Sequence, residues 1–340
     1  MNLLLCGAQS NYAIERYFLK YFKQIVSGNV ELFAAQNIFL EYYNRSLTHK
    51  VLFRLGYQKI YHHINTLFLQ KVNEVNPDVV FVFKGMEIFP DTLLALKQRG
   101  IKLVNYNPDN PLLFSGRGSG NANITNCIEH YDLHFTYDPA IQKQLLRYPG
   151  KAVMLPFGFE LDDLDYAEVC QAPEINKVCF LGNPDKERAL FIRRLSAHVP
   201  MVVYGNKWNK YLKANENLSL QSSVFGMDFW KVLHQYRIQL NLMRPHNPQS
   251  HNMRTFEVPG AGGIGLYPDT PDHRHYFIAG EEIFLYHDLA NCVEKSLKLL
   301  NLSADKASAI RKSARDKSIS ARYTYADRVK EAYKHMIALL

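Results

Sequence analysis

Between His251 and Gly263 the sequence reads His-Asn-Met-Arg-Thr-Phe-Glu-Val-Pro-Gly-Ala-Gly-Gly. A polar stretch from His246 to Asn252 leads into Arg254 and Glu257, then into small residues, Pro259 and the apolar segment Ile264-Gly265-Leu266-Tyr267. Polar loop, short helix, glycine turn and buried strand in that order describe one unit of a parallel α/β sheet. The chemistry such a unit suits is binding of an anionic ligand. Glycines let the backbone approach a phosphate, and a helix start offers N–H groups and the positive end of a dipole. The plain structural alternative is that Arg254 and Glu257 pair with each other on the surface.

The elements that position this stretch repeat along the chain. Residues 2–7 read as a first strand, followed by the turn Gly7-Ala8-Gln9-Ser10-Asn11 and a helix from Tyr12. The turn is not GxGxxG and no acid follows at the right place in a second strand, so it is not read as a dinucleotide fingerprint. Residues 28–35 suit a second strand, and 37–75 a long helical region. There Phe39, Tyr42, Tyr43, Phe53, Tyr57, Tyr61 and Phe68 interleave with Arg45, Lys50, Arg54 and Lys59. The spacing Tyr57, Tyr61, Ile64, Phe68 predicts a core stripe, with headgroup contact as the competing use.

Asp78 to Gly85 is a continuous apolar strand that must be covered on both faces. A helix over Pro90–Arg99 and a strand over Ile101–Tyr106 complete the next step. The loops Lys84-Gly85-Met86-Glu87 and Asn107-Pro108-Asp109-Asn110-Pro111 therefore lie beyond carboxyl strand ends, where open α/β sheets bind ligands. Ser115 to Asn121 is glycine-rich and is expected to be a mobile loop; it lacks the GKS ending of a P-loop. Strands follow at 132–136 and 152–156, and the acid-rich stretch 160–175 reads as a linker. The pattern then restarts: strand Lys177–Leu181, turn Gly182-Asn183, helix 185–198, strand 201–205, helix 228–236 and strand 238–242.

The 340 residues suffice for two domains of about 150 residues each. With 47% hydrophobic and 21% charged residues the composition is globular. The opening Met1 to Gly7 reads as a buried strand and not as a signal peptide. Cys6, Cys127, Cys170, Cys179 and Cys292 contain no CxxC pair and fit reduced thiols in a cytoplasmic protein. No DxD or dense carboxylate cluster points to a metal. A net charge of +8 suits phosphorylated small molecules, an anionic membrane surface or nucleic acid, of which we expect no nucleic acid. Part of the excess sits in residues 305–340, with nine Lys or Arg against four acids on a predicted helical tail.

Asn252-Met253-Arg254-Thr255-Phe256-Glu257-Val258-Pro259-Gly260-Ala261-Gly262-Gly263, followed by Asp269 and Gly280-Glu281-Glu282-Ile283, resembles the signature of the CgeB-like glycosyltransferases, a group 1 branch of the GT-B superfamily. Phe180-Leu181-Gly182-Asn183 with Arg188, Val203-Tyr204-Gly205, and Leu155-Pro156-Phe157-Gly158 are similar to further motifs of that family. The resemblance implies two Rossmann-like domains facing each other across a cleft. An acceptor domain would span 1–165 and be completed by helix 322–340; a nucleotide-sugar domain would span 174–321.

The donor side implied is Gly182, Asn183, Lys186, Arg188, Tyr204, Gly205, His251, Asn252, Arg254, Thr255, Phe256 and Glu257. Glu257 would bind the ribose hydroxyls, and Arg254 with Lys186 or Arg188 would face the diphosphate. Gly7, Lys84 and Gly85 fall on the acceptor side. If the reaction inverts the anomeric centre, Asp109 and then Glu87 are the candidate bases; retention, which the resemblance favours, needs none. The chain departs from the family at Gln249, eight positions before Glu257, where retaining relatives carry a first glutamate.

The expected activity is transfer of a sugar from a nucleotide diphosphate sugar, without metal or other cofactor. The acceptor would be a cell-surface glycan, glycolipid or protein, and the enzyme cytoplasmic, peripheral at the inner face of the membrane. A non-catalytic two-domain binding or scaffold protein and a GT-B-type nucleotide-sugar epimerase are the alternatives.

Overall fold

The computed structural model describes residues 1–11, 13–114, 119–243 and 249–340. Tyr12, Ser115 to Gly118 of the glycine-rich loop, and His246 to Pro248 of the polar run lie outside the described residues. The chain divides into two compact units, Met1–Pro156 with Tyr325–Leu340, and Phe157–Thr324.

The first unit runs β1 (Leu3–Cys6), α1 (Glu15–Ile25), β2 (Val30–Phe33), α2 (Ala35–Asn44), α3 (Leu47–Arg54), α4 (Lys59–Val75), β3 (Val79–Phe83), α5 (Pro90–Gln98), β4 (Lys102–Tyr106), α6 (Ala122–Cys127), β5 (Leu133–Thr136), α7 (Pro139–Leu145) and β6 (Lys151–Met154). All six strands are parallel, in the order β2-β1-β3-β4-β5-β6. Every residue of β3 is buried, as expected of a central strand with helices on both faces. The helical region expected over 37–75 is three helices. Ser46 Oγ accepts the His49 N–H and caps α3, and Gly56 at φ 90° breaks the chain before α4. Of the aromatic run, Tyr61 and Phe68 on α4 are core, with Ile64 and Val72 on the same stripe, while Tyr57 lies outside α4 and is exposed.

The second unit contains α8 (Asp163–Val169), β7 (Ile175–Leu181), α9 (Lys186–Leu195), β8 (Met201–Tyr204), β9 (Leu218–Gln221), α10 (Gly226–Gln235), β10 (Tyr236–Leu240), α11 (Arg254–Gly260), β11 (Gly265–Pro268), α12 (Pro271–Tyr276), β12 (Phe284–Tyr286), α13 (Leu289–Leu300) and α14 (Ala304–Ser320). Its sheet is again six parallel strands, in the order β12-β11-β10-β7-β8-β9. The stretch 160–175 is not a bare linker. It holds α8, capped by Asp162, whose side chain accepts the Asp165 N–H.

After Thr324 the chain returns to the first unit as α15 (Tyr325–Ile337). Tyr325, Val329, Ala332 and Met336 are buried at helical spacing, and Tyr325 stacks on Tyr17 of α1 at 4.9 Å. Both sheets reverse their strand order once near the middle, between β1 and β3 in one and between β7 and β10 in the other. Those reversals are where an open α/β sheet leaves a crevice beyond its carboxyl strand ends.

Candidate active site

At the reversal in the second sheet, β7 ends in Gly182-Asn183 and β10 runs into Asn241-Leu242. The Arg188 guanidinium spans it: Nη2 donates to the Leu242 carbonyl at 2.7 Å and Nη1 to the Asn183 carbonyl at 3.2 Å. Its backbone N–H donates to Asp185 Oδ1, which caps α9. Arg188 thus ties two strand ends together, and Lys186, the first residue of α9, is exposed. Gly205, after β8, has φ 146°, and a Cβ there would sit 2.3 Å from the Gly182 carbonyl oxygen, so only glycine fits. The Gly182 carbonyl also accepts the Trp208 indole N–H at 2.8 Å, and Tyr204 bonds Tyr236 through their hydroxyls at 2.9 Å.

The stretch after β10 is anchored by side-chain amides. Asn252 donates to Asn241 Oδ1 at 2.8 Å and accepts from Asn241 Nδ2 at 3.2 Å. The first N–H groups of α11, on Thr255, Phe256 and Glu257, go to the carbonyls of Asn252 and Met253. Those three N–H groups are therefore held within the chain and are not free for an anion.

Arg254 and Glu257 do pair with each other, but the pair is not a surface one. The Glu257 side chain is 8% exposed, Arg254 Nη1 donates to Glu257 Oε2, and the guanidinium lies over the Phe229 ring at 4.7 Å. Burial raises the Glu257 pKa and the neighbouring Arg254 charge pulls it back down. Arg254 Nε has no partner among the described residues.

His251, with Thr255 and Phe256 of α11 itself, is buried completely. The His251 Nδ1–H donates to Asp272 Oδ2 at 2.7 Å, and Asp272 also accepts Ser250 Oγ at 2.9 Å. Burial lowers the His273 pKa to about 4, so its ring is neutral and carries one N–H. The Pro268 carbonyl, 2.8 Å from Nδ1, can only accept, so Nδ1 donates and Nε2 accepts the Thr255 hydroxyl at 3.0 Å. Phe256 packs edge-on among His251, Tyr276 and Tyr323. The far end of α11 is held by α14. Arg315 Nη1 donates to the Gly260 carbonyl at 2.6 Å, and Arg311 Nη1 to that of Gly262 at 3.1 Å.

Sequence reasoning missed Asn241, Asp272, His273, Arg311 and Arg315, because their contacts to this stretch cross between elements. Glu282, from the motif Gly280-Glu281-Glu282-Ile283, is buried and accepts the Ile278 N–H at 2.7 Å, closing the turn before β12.

At the reversal in the first sheet, Lys84 adopts φ 60° and Gly85 φ 95°, a sharp turn out of β3. The Lys84 ammonium reaches Asp109 Oδ2 beyond β4 at 2.8 Å. Glu87 is buried, and burial raises its pKa to about 7, with Lys84 opposing and Glu15 adding to the rise. Glu15, absent from the sequence reading, accepts the Ala8 N–H at 3.0 Å, and a Cβ on Gly7 would meet its Oε1 at 2.8 Å. The acid directly behind a glycine turn at the start of α1 was the available signal. A separate depression lined by Lys295, Lys298 and Lys306 shares no residue with either group. Among the described residues no three His, Cys, Asp or Glu side chains converge as a metal site.

Residues 187–334 match the glycosyl transferase-like family. That segment is similar to glycosyl transferase-like domains. No curated protein sequence matches the chain. Its fold is that of the GT-B enzymes: two Rossmann-like domains, each a parallel six-stranded sheet with flanking helices. A trehalose-6-phosphate synthase studied for glycosyl transfer with retention is similar over 100% of both chains, at 10% identity and a TM-score of 0.67. Anabaena Alr3699/HepE in complex with UDP-glucose is similar over 99% of this chain and 100% of its own, at 14% identity and a TM-score of 0.66. A UDP-GlcNAc 2-epimerase from Neisseria meningitidis bound to UDP-GlcNAc covers the same shares at 14% identity and a TM-score of 0.57. Within the matched residues fall Arg188, the Arg254–Glu257 pair and the histidine network beneath it.

Proposed function

We propose that the protein transfers a sugar from a nucleotide diphosphate sugar to a hydroxyl acceptor, with the donor held by the second unit. The observation that carries this reading is Glu257, a buried carboxylate on the helix that follows the strand reversal, neutralised by a single guanidinium. Such a carboxylate can accept hydrogen bonds from two vicinal ribose hydroxyls. Arg254 then has a guanidinium edge for the diphosphate, where a planar fork serves better than a point charge. Exposed Lys186 supplies a second positive charge, whereas Arg188 is spent on backbone carbonyls.

Leaving-group charge is met by these cations and not by a metal, and the reaction retains anomeric configuration, as the CgeB-like resemblance favours. The Lys84–Asp109 pair, Gly7 and Glu87 belong to the acceptor side, and the acceptor is a cell-surface glycan, glycolipid or protein modified from the cytoplasmic face.

The similarity to a 2-epimerase bound to UDP-GlcNAc favours one second reading, conversion of the nucleotide sugar itself. A panel of UDP-, GDP- and dTDP-sugars separates the two. A transferase hydrolyses one donor slowly to nucleoside diphosphate and free sugar. An epimerase returns an isomeric nucleotide sugar with no free diphosphate. A protein stabilised by none of the panel and active on none contradicts both.

A further inference from the structure

We propose that α3 is a membrane-docking element that seats the first unit on an anionic lipid surface. No residue of α3 is buried. Leu47 is 79% exposed, Val51 52% and, just past the helix end, Leu55 78%. Spaced four apart they form one stripe, with Leu52 and Tyr57 exposed beside it. Single exposed apolar residues are ordinary, but a contiguous group this size marks an interaction site.

The helix is firmly set, so the stripe is displayed and not merely loose. Ser46 caps it, and Phe53 on its inner side packs against Phe39 at 4.9 Å and Tyr61 at 5.6 Å.

Charge decides the occupant. From Tyr42 to Asn73 the sequence contains no Asp or Glu, while Arg45, Lys50, Arg54 and Lys59 border the stripe. Lys50 lies over the Tyr43 ring at 5.6 Å and Lys59 over that of Tyr57 at 5.3 Å. An apolar row edged by cations and tyrosines, with no acid in its segment, matches the boundary between acyl chains and anionic headgroups. A second copy of this chain would bring the same cations face to face across a two-fold axis, which disfavours self-association through this stripe. Among the described residues no helix is long and apolar enough to cross a membrane, so the contact is interfacial. Of the nine cations in residues 305–340, Arg311 and Arg315 of α14 are buried within the second unit and do not face such a surface.

The test is co-sedimentation of the full chain with vesicles of phosphatidylcholine alone or mixed with phosphatidylglycerol, at low and high salt. The expected result is binding to the mixed vesicles, weaker by about tenfold or more on phosphatidylcholine alone, and falling as salt rises. The triple substitution L47S/V51S/L55S removes binding while leaving the melting temperature within a few degrees. Should that variant fail to fold, hydrogen exchange on the native chain decides. Added mixed vesicles protect amides 47–55 if the proposal holds and leave them unchanged if it does not. The proposal is overturned if the full chain stays in the supernatant with every vesicle, or if the triple variant binds as the native chain does. It is also overturned if light scattering shows a native dimer that the triple variant turns into a monomer.

Discussion

Two carboxylates, Glu257 and Glu87, are each held in a buried setting at a strand reversal, and each has its proton affinity raised by burial. They differ in what opposes that burial. Arg254 bonds Glu257 directly, whereas Glu87 feels the Lys84 ammonium through space and a second carboxylate, Glu15, on the other side. With a folded pKa of about 7 against an ordinary 4.5, Glu87 keeps its proton in the folded chain at a pH where the unfolded chain has lost it. Its contribution to stability is therefore complete below pH 4.5 and lost as pH rises through 7. The loss amounts to about 3 kcal/mol, at ~1.4 kcal/mol per pKa unit. Glu87→Gln keeps the bulk and removes the titration. Urea unfolding across pH 5 to 8, a window on the order of that shift, should show a midpoint that falls more with pH in the native chain than in the variant. An unchanged slope would place the titrating group elsewhere.

At the scale of elements, α11 is short, begins on carbonyls of its own loop and depends on neighbours for its position. The guanidinium of Arg315 is the clearest such support, because it is buried and bonded to the carbonyls of Gly260 and Leu161. Removing it leaves those acceptors dry, so Arg315→Ala should cost about 3 kcal/mol. Its ion-pair partner Asp163 is 94% exposed, and Asp163→Ala should cost less than ~0.5 kcal/mol. Equal losses in thermal melts would show that the ion pair and not the buried donors matters.

This difference explains what could be read in advance. The strands β1, β3, β4, β7 and β8 were legible because buried parallel strands are continuous apolar runs ending in glycine or a polar turn. The Arg254–Glu257 stretch was legible for the same reason: its glycines and charges are contiguous. β9 was not, since Leu218-Ser219-Leu220-Gln221 is a short edge strand with an alternating pattern. The breaks inside 37–75 were missed because Ser46 and Gly56 sit within an otherwise unbroken helical composition. The burial of His251, Thr255 and Phe256 was not legible either, because it depends on Asp272, His273, Tyr276 and Tyr323 meeting them in space.

Across the whole molecule, the two units are not consecutive halves, since the first is completed by residues that follow the second. Tyr325, Val329, Ala332 and Met336 place α15 in the core of the first unit. Ending the chain at Thr324 should destabilise that unit by several kcal/mol, at ~1.5 to 3 kcal/mol per buried side chain. Hydrogen exchange should then show protection lost in residues 1–156 and kept in 157–324. Loss confined to the second unit would contradict the division.

The account rests on the second unit holding a nucleotide through Glu257, and calorimetric titration of the full chain tests it most directly. The titrant is the nucleoside diphosphate of the donor that the panel selects. Two charge-assisted hydrogen bonds at ~1.5 to 3 kcal/mol each predict that Glu257→Ala weakens binding by about a hundredfold or more. Glu257→Gln, which keeps the shape and one acceptor, should lose less. Affinity unchanged in a folded Glu257→Ala protein would contradict the account and move the donor site away from α11.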